Sequence, residues 1–264
     1  MKKFSVLVPL LFVTAISTCS FASDYGFKET RERTFKMQGD DLVEIGNTKG
    51  LIQIIKSKDD ELHVNAKLMA NNEKTAKLLA TREGYSQKDK SSNSWYEVIQ
   101  PSAGNTVEGD WFCNLTVAVP DGKRIKATID DGEIQISGVQ GTFTFHVKNG
   151  SIIGDNLKLN GKQKSTFEIV SGNVEFKSFD LADGSKAIFS NHSGNVFLKF
   201  VDHSIFDNTD FRLAANNGKI TIAENLKHSF KIKDKKASMT ATLKRSKPTK
   251  TINAQTDRGS ITIE

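Results

Sequence analysis

Runs of alternating apolar and polar residues recur along the chain, and each ends at a polar residue followed by glycine. Ile125-Lys126-Ala127-Thr128-Ile129 leads to Asp131-Gly132, and Phe143-Thr144-Phe145-His146-Val147 leads to Asn149-Gly150. Apolar residues return two and four places after the glycine, as in Gly132-Glu133-Ile134-Gln135-Ile136 and Gly172-Asn173-Val174-Glu175-Phe176. Gly50, Gly194, Gly218 and Gly259 head the same unit. Residues i, i+2 and i+4 share one face of a strand, so each unit offers a single apolar face. The polar residue plus glycine permits the positive φ of a tight turn.

From Gly132 onward the glycine spacings are 18, 22, 22, 24 and 41, and the last is close to two periods, as if one rung had lost its glycine. Repeats of about 20–50 residues mark arrays in which each unit buries its face against the next. The expected fold is therefore all-β, a β-solenoid resembling a single-stranded parallel β-helix. Asn-Gly between alternating runs is also a hairpin signal, so an antiparallel sandwich or meander is the alternative.

The array is interrupted between Gly50 and Gly132. Leu62–Leu68 reads as a strand, and Asn71–Gly84 reads as one inserted helix, capped by Asn71 or Asn72 and ended by Gly84. Ala76, Leu79 and Ala80 give that helix a narrow apolar stripe. A polar loop from Ser86 to Ser94 and strands at Trp95–Ile99 and Trp111–Val119 follow, and Pro120-Asp121-Gly122 turns into the regular units. No linker divides residues 23–264, which read as one domain.

Residues 1–22 read as a secretory signal peptide: Met1-Lys2-Lys3, an apolar run from Phe4 to Ile16, then Ser20-Phe21-Ala22, with cleavage before Ser23. Ile16-Ser17-Thr18-Cys19 loosely resembles a lipobox, which gives a lipid anchor at Cys19 as the alternative. Later segments are not apolar enough to span a bilayer. Cys113 is the only cysteine besides Cys19. It sits on the apolar face of Trp111-Phe112-Cys113-Asn114-Leu115 and reads as a small buried thiol.

The turn Val119-Pro120-Asp121-Gly122, followed by serial Asn/Asp/Ser-Gly-x-Ile/Val-x-Ile/Val units behind an insertion, resembles a bacterial family of exported proteins of unknown function labelled "putative adhesin". The resemblance runs from about Thr30 to Glu264. It implies a solenoid-like fold, export, and no established enzymatic activity; the expected location is the periplasm or cell surface.

Composition agrees with a globular chain: 37% hydrophobic, 26% charged, with 17 of the 22 aromatic residues phenylalanine. No catalytic constellation stands out. Asp130-Asp131 is the one acid pair in the array, but Asp131 occupies the turn position held elsewhere by Asn149, Ser171, Ser193 and Asn217. A carbohydrate lyase or hydrolase on a β-helix is the alternative function. His63, His146, His192, His203 and His228 lack metal-ligand spacing, so no metal or cofactor is expected. Charge is the asymmetric feature. Residues 221–264 hold ten basic side chains against four acidic ones, a local +6, while residues 23–220 carry −2. Phe230 and Ile232 are expected to point inward, and Lys231, Lys233, Lys235, Lys236, Lys244 and Arg245 are the candidate site for a polyanion, either an anionic glycan or a lipid headgroup. Nucleic acid is not expected, because aromatic residues do not alternate with these lysines. The expected function is that of an exported, non-catalytic envelope protein, an adhesin or surface-binding scaffold.

Overall fold

The computed structural model describes residues 26–37, 41–77, 79–87, 93–101, 110–161, 163–235 and 237–264. The expected signal segment, with Cys19, lies outside the described residues, as does Lys236. Among the described residues no helix is long and apolar enough to cross a membrane.

Six strands come first: β1 (Phe27–Lys36), β2 (Leu42–Lys56), β3 (Glu61–Ala70), β4 (Leu79–Gln87), β5 (Asn93–Pro101) and β6 (Trp111–Val119), with helix α1 (Glu73–Lys77) between β3 and β4. The regular units are β7 (Lys123–Ser137), β8 (Gln140–Asp155), β9 (Leu157–Leu159), β10 (Lys164–Leu181), β11 (Lys186–Ser193) and β12 (Val196–Phe200). After a 3-10 turn at His203–Asp207 come β13 (Thr209–Ala215), β14 (Ile220–Ile222), helix α2 (Glu224–Lys227), β15 (Lys231–Lys235), β16 (Ser238–Leu243), β17 (Lys250–Arg258) and β18 (Ile261–Ile263). The protein is all-β, with one large open sheet of mixed direction.

The repeated units pair in parallel and in register. β2, β7, β8 and β10 each run through their glycine, so Gly50, Gly132, Gly150 and Gly172 lie side by side. In the later units the strand is broken at the glycine, and β11–β12, β17–β18 and β13–β14 continue the ladder. Each unit turns its alternate apolar residues inward. Ile125, Ala127 and Ile129 are buried before the corner, and Ile134 and Ile136 after it. The abundant phenylalanines fill the later part of this core in one connected series: Phe143, Phe167, Phe189, Phe179, Phe200 and Phe211 are linked by ring-centroid separations of 4.9–6.5 Å. Edge-to-face and offset contacts of this kind add to the burial of apolar area.

The corner is what fixes the register. Gly172 has φ +135, and a Cβ built there would lie 1.5 Å from the carbonyl oxygen of Gly150. Gly150 stands in the same relation to Gly132, at 1.6 Å. Strands can come this close only where the side chain is absent and left-handed backbone is tolerated. At some rungs a polar side chain three places before the glycine serves the neighbouring corner carbonyl. Asn191 Nδ2 donates to the Gly172 oxygen at 2.9 Å, and Thr256 Oγ1 donates to the Gly194 oxygen at 3.0 Å.

Three expectations need correction. The ladder is not purely parallel: β3 and β1 add antiparallel beyond β6, β4 pairs antiparallel with β5, and β16 and β15 add antiparallel beyond β13. No rung has lost its glycine in the long spacing. The 41 residues from Gly218 to Gly259 hold the β15–β16 hairpin, after which β17 returns between β11 and β13. The helix read over Asn71–Gly84 is confined to Glu73–Lys77, where Asn72 caps it by accepting from the Thr75 N–H at 2.8 Å. Residues Leu79–Gln87 form β4 instead, and Gly84 pairs opposite Tyr96 within it. A three-residue apolar stripe gives weak helical preference, and pairing with β5 overrides it. The strands expected near Leu62–Leu68, Trp95–Ile99 and Trp111–Val119 are present, and Cys113 is buried.

Gly172→Val is expected to cost about 3 kcal/mol or more, from strain at a left-handed position and the clash with Gly150. Asn173→Val removes one exposed hydrogen bond, from the Asn195 N–H to Asn173 Oδ1 at 2.9 Å, and should cost about 1 kcal/mol. Urea unfolding of the two variants compares them, and equal midpoints would refute the corner constraint.

Candidate functional site

The basic residues fall into distinct environments. Lys231, Lys233 and Lys235 alternate along β15 and are exposed. β15 pairs with β16 alone among the described residues, so it is the last strand at this end of the sheet. Opposite these lysines on β16 stand Thr242, Thr240 and Ser238, which carry no charge. None of the three lysines has an ion pair among the described residues. Phe230 is buried and Ile232 half-buried, as their inward placement requires. Lys244 is exposed just beyond β16. Arg245 is tied into the fold: its backbone N–H donates to Asp210 Oδ1 at 2.8 Å, and its Nε donates to the Phe206 carbonyl at 2.6 Å. Its guanidinium thus anchors the 3-10 turn beside β13 and is partly spent there. Lysines at alternate positions of an outer strand also discourage pairing with another chain, a role that sequence patterning alone did not disclose.

Asp131 stands in register with Asn149, which follows with Ser171, Ser193 and Arg258 in the turn row. Its Oδ1 accepts from Asn149 Nδ2 at 2.7 Å, so it behaves as one member of a polar ladder along the corners. Another corner gathers His192, Asp257, Arg258 and Asn216. Arg258 Nη2 lies 3.1 Å from His192 Nε2, and since guanidinium only donates, Nε2 is the acceptor. Nδ1 therefore carries the proton and donates to Asp257 Oδ2 at 2.9 Å. This bond, followed by that from Asn216, holds the Asp257 carboxyl below its ordinary value. Both ring nitrogens of His192 are engaged, which leaves neither to take a proton from a nucleophile. His146 is exposed, 3.7 Å from Glu168.

One acid–histidine group was not legible from spacing. At the β2–β3 turn, Asp59, Glu61 and His63 bring ligand-type atoms within 4.8 Å of one another. The Asp59 Oδ1 already accepts from Ser57 Oγ at 2.9 Å, from the Glu61 N–H at 3.0 Å and faces His63 Nε2 at 2.8 Å. His63 Nδ1 lies 3.1 Å from Thr34 Oγ1 on β1. The group thus ties the outer strand β1 to the turn. The sequence carried one signal for it, the run Asp59-Asp60-Glu61-Leu62-His63 with alternate residues on one face of a strand.

No family model and no curated protein matches the chain. Among solved structures, a "putative cell adhesion protein" from Clostridium sporogenes is similar with a TM-score of 0.46 and 9% identity, over 90% of this chain and 99% of its own. A "putative adhesin" from Bacteroides fragilis gives a TM-score of 0.37 and 13% identity, over 89% of this chain and 97% of its own. A "putative lipid binding protein" from Parabacteroides distasonis gives 0.25 and 10%, over 90% and 97%. At such identities the likeness carries nothing about ligand or activity.

The Asp59 carboxyl is held down to about 2 from its ordinary 3.8, first by the hydrogen bond with His63, then by those from the Glu61 N–H and Ser57. Its contribution to stability is therefore present above pH 3.8 and is lost as pH falls toward 2. In His63→Ala the Asp59 titration should move upward, toward 3.8. Carboxyl-carbon NMR titration reads this directly; an unmoved Asp59 midpoint would exclude His63 as the cause.

Proposed function

We propose that this chain is an exported, non-catalytic protein of the bacterial envelope, a β-solenoid that uses its basic end to attach to anionic polymers or headgroups at a cell surface. The solenoid reading rests on the parallel, in-register corners from Gly50 to Gly218, with antiparallel strands closing each end. The observation that carries the binding reading is the row Lys231, Lys233 and Lys235 on the outermost strand, facing threonine and serine and left without an acidic partner. Charges that no internal acid neutralises project their field outward and attract polyanions. Lys244 extends the row; Arg245 contributes little, being held by Phe206 and Asp210. The non-catalytic reading is supported by Asp131, tied into the corner ladder, and by His192, with both nitrogens occupied.

Binding of this kind should weaken as salt rises, because exposed charges are screened over about 8 Å at physiological ionic strength. Lys231→Gln/Lys233→Gln/Lys235→Gln removes three charges from a solvated edge, and each change should alter stability by no more than about 0.5 kcal/mol. Co-sedimentation with anionic and neutral vesicles, and with an acidic polysaccharide, should show binding to anionic partners at low salt that the triple variant loses. Binding that is salt-independent, or that persists unchanged in the triple variant, would remove the lysines from the site. Turnover of an acidic polysaccharide that disappears in Asp130→Asn/Asp131→Asn would overturn the non-catalytic reading.

A further inference from the structure

Asparagine is followed by glycine at three places in the chain: Asn149-Gly150, Asn160-Gly161 and Asn217-Gly218. This dipeptide reacts when the glycine nitrogen turns back onto the asparagine side-chain carbonyl carbon, Cγ, and closes a five-membered ring. Glycine eases the approach because it carries no Cβ. Closure also requires the backbone to leave the extended form and the glycine N–H to give its proton to solvent base. A strand paired on both sides therefore suppresses it.

The fold treats the three sites differently. Asn149 and Gly150 lie inside β8, between β7 and β10, and Asn149 Nδ2 donates to Asp131 Oδ1 at 2.7 Å. Asn160 is half-buried; its N–H donates to the Gly141 carbonyl at 2.9 Å, and its Oδ1 accepts from Gln140 Nε2 at 3.0 Å. Asn217 and Gly218 are exposed and belong to no strand, in the bend between β13 and β14. The Gly218 N–H has no hydrogen bond among the described residues. The ladder ends here: β16 pairs with β13 but not with β14, which pairs with β18 alone among the described residues. Asn217 is held from one side, where its N–H and its Nδ2 donate to the Asp257 carbonyl at 3.0 and 3.2 Å.

We propose that Asn217 is a site of spontaneous deamidation, and that the modified residue releases β14 from β18. The Gly218 nitrogen bonds to Asn217 Cγ, the Cγ–Nδ2 bond breaks, and Nδ2 leaves as ammonia, balanced by the proton that Gly218 gave up. Water then opens the succinimide. Opening at Cγ gives aspartate; opening at the backbone carbonyl gives isoaspartate, whose main chain is longer by a carbon. Aspartate sets a carboxylate oxygen against the Asp257 carbonyl where a donor stood. Isoaspartate also displaces Gly218, which has no slack, since a Cβ there would lie 1.6 Å from the Gly259 oxygen. β14 is only Ile220–Ile222 with a single partner strand, so little else holds it to the ladder.

The inference is independent of the lysines of β15 and of what the protein binds. The purified protein is aged at mildly acid and mildly alkaline pH, folded and in urea, and the conversion of amide to acid is followed by peptide mass spectrometry. Trypsin places the sites in separate peptides, Asn149–Lys158, Leu159–Lys162 and Leu213–Lys219. In urea all three should convert at similar rates, because closure is then a property of the dipeptide. In the folded protein Asn217 should convert about tenfold or more faster than Asn149, since closure within β8 requires a doubly paired strand to open. Its rate should rise with pH. After ageing, the Ala223 and Ile261 amides, which donate to the Ile263 and Lys219 carbonyls, should exchange hydrogen faster, while amides of β7 and β8 stay unchanged. Asn217→Ser should prevent this, and serine suits the turn, as at Ser171 and Ser193. No conversion of Asn217, conversion of Asn149 or Asn160 at an equal rate in the folded protein, or a rate that does not rise with pH would overturn the site. Unchanged exchange at Ala223 and Ile261 after conversion, or equal acceleration in aged Asn217→Ser, would overturn the release of β14.

Discussion

The structure depends on a space that is too small for a side chain. At each corner of the ladder the chain passes so close to the neighbouring rung that a Cβ would fall within about 2 Å of the preceding corner's carbonyl, as at Gly194 (1.8 Å from the Gly172 oxygen) and Gly259 (2.0 Å from the Gly194 oxygen). A slip of one residue would put a side chain into that space and turn every inward residue outward. The glycine row thus sets register for the whole rung. Ile134 of one unit then lies on Ile152 of the next, and Val174 on Val196. Polar rows such as Asp131–Asn149 follow from the same alignment. What looks like a repeated sequence motif is a single steric condition met again at each level.

Register alone leaves two ends open, and the chain manages both by the same device. The first unit in sequence, β2, lies between β7 and the β5–β6 level, not outside them. The last, β17–β18, lies between β11–β12 and β13–β14. The unit nearest each end of the described chain is therefore paired on both sides, and antiparallel strands cover β5, β6 and β13, while β14 pairs with β18 alone among the described residues. Fraying, which begins where backbone groups lack a second partner, is displaced onto strands that carry charge: β1 with its Arg31–Glu29 pair at 2.6 Å, and β15 with its lysines. The arrangement ties distant segments together, so the final rungs can form only after β17 has returned across the β15–β16 hairpin.

These features explain which parts of the molecule the sequence discloses. The units are legible because a corner glycine and a period-2 apolar face are local requirements, repeated with little variation. The interleaving of β17 is not legible, since parallel neighbours separated by 41 residues leave no local mark when the intervening hairpin uses the same alternation as a rung. The helix was overestimated for a related reason. The stretch Leu79–Gln87 has a composition compatible with either state, and its partner β5 decides. The candidate site divides along the same line. Lysine alternation on β15 is a local pattern, and so is the inward placement of Phe230. The tether of Arg245 to Phe206 arises between segments some forty residues apart, and spacing carries no trace of it.

Edge protection and anion attraction are often treated as competing explanations of an exposed basic strand. Here they have the same physical origin. An acid on the lysine face of β15 would neutralise the row, and with it both effects. Asp234, the one acid in the strand, lies on the opposite face by alternation, and the residues across from the lysines are hydroxylic. A second copy laid antiparallel against β15 would bring lysine toward lysine, which opposes pairing. An acidic polymer laid along it would find three unshielded charges at a spacing of about 7 Å, twice the rise of a strand residue. The alternation that opposes pairing with a second copy is thus the same feature on which the proposed binding of an anionic partner rests.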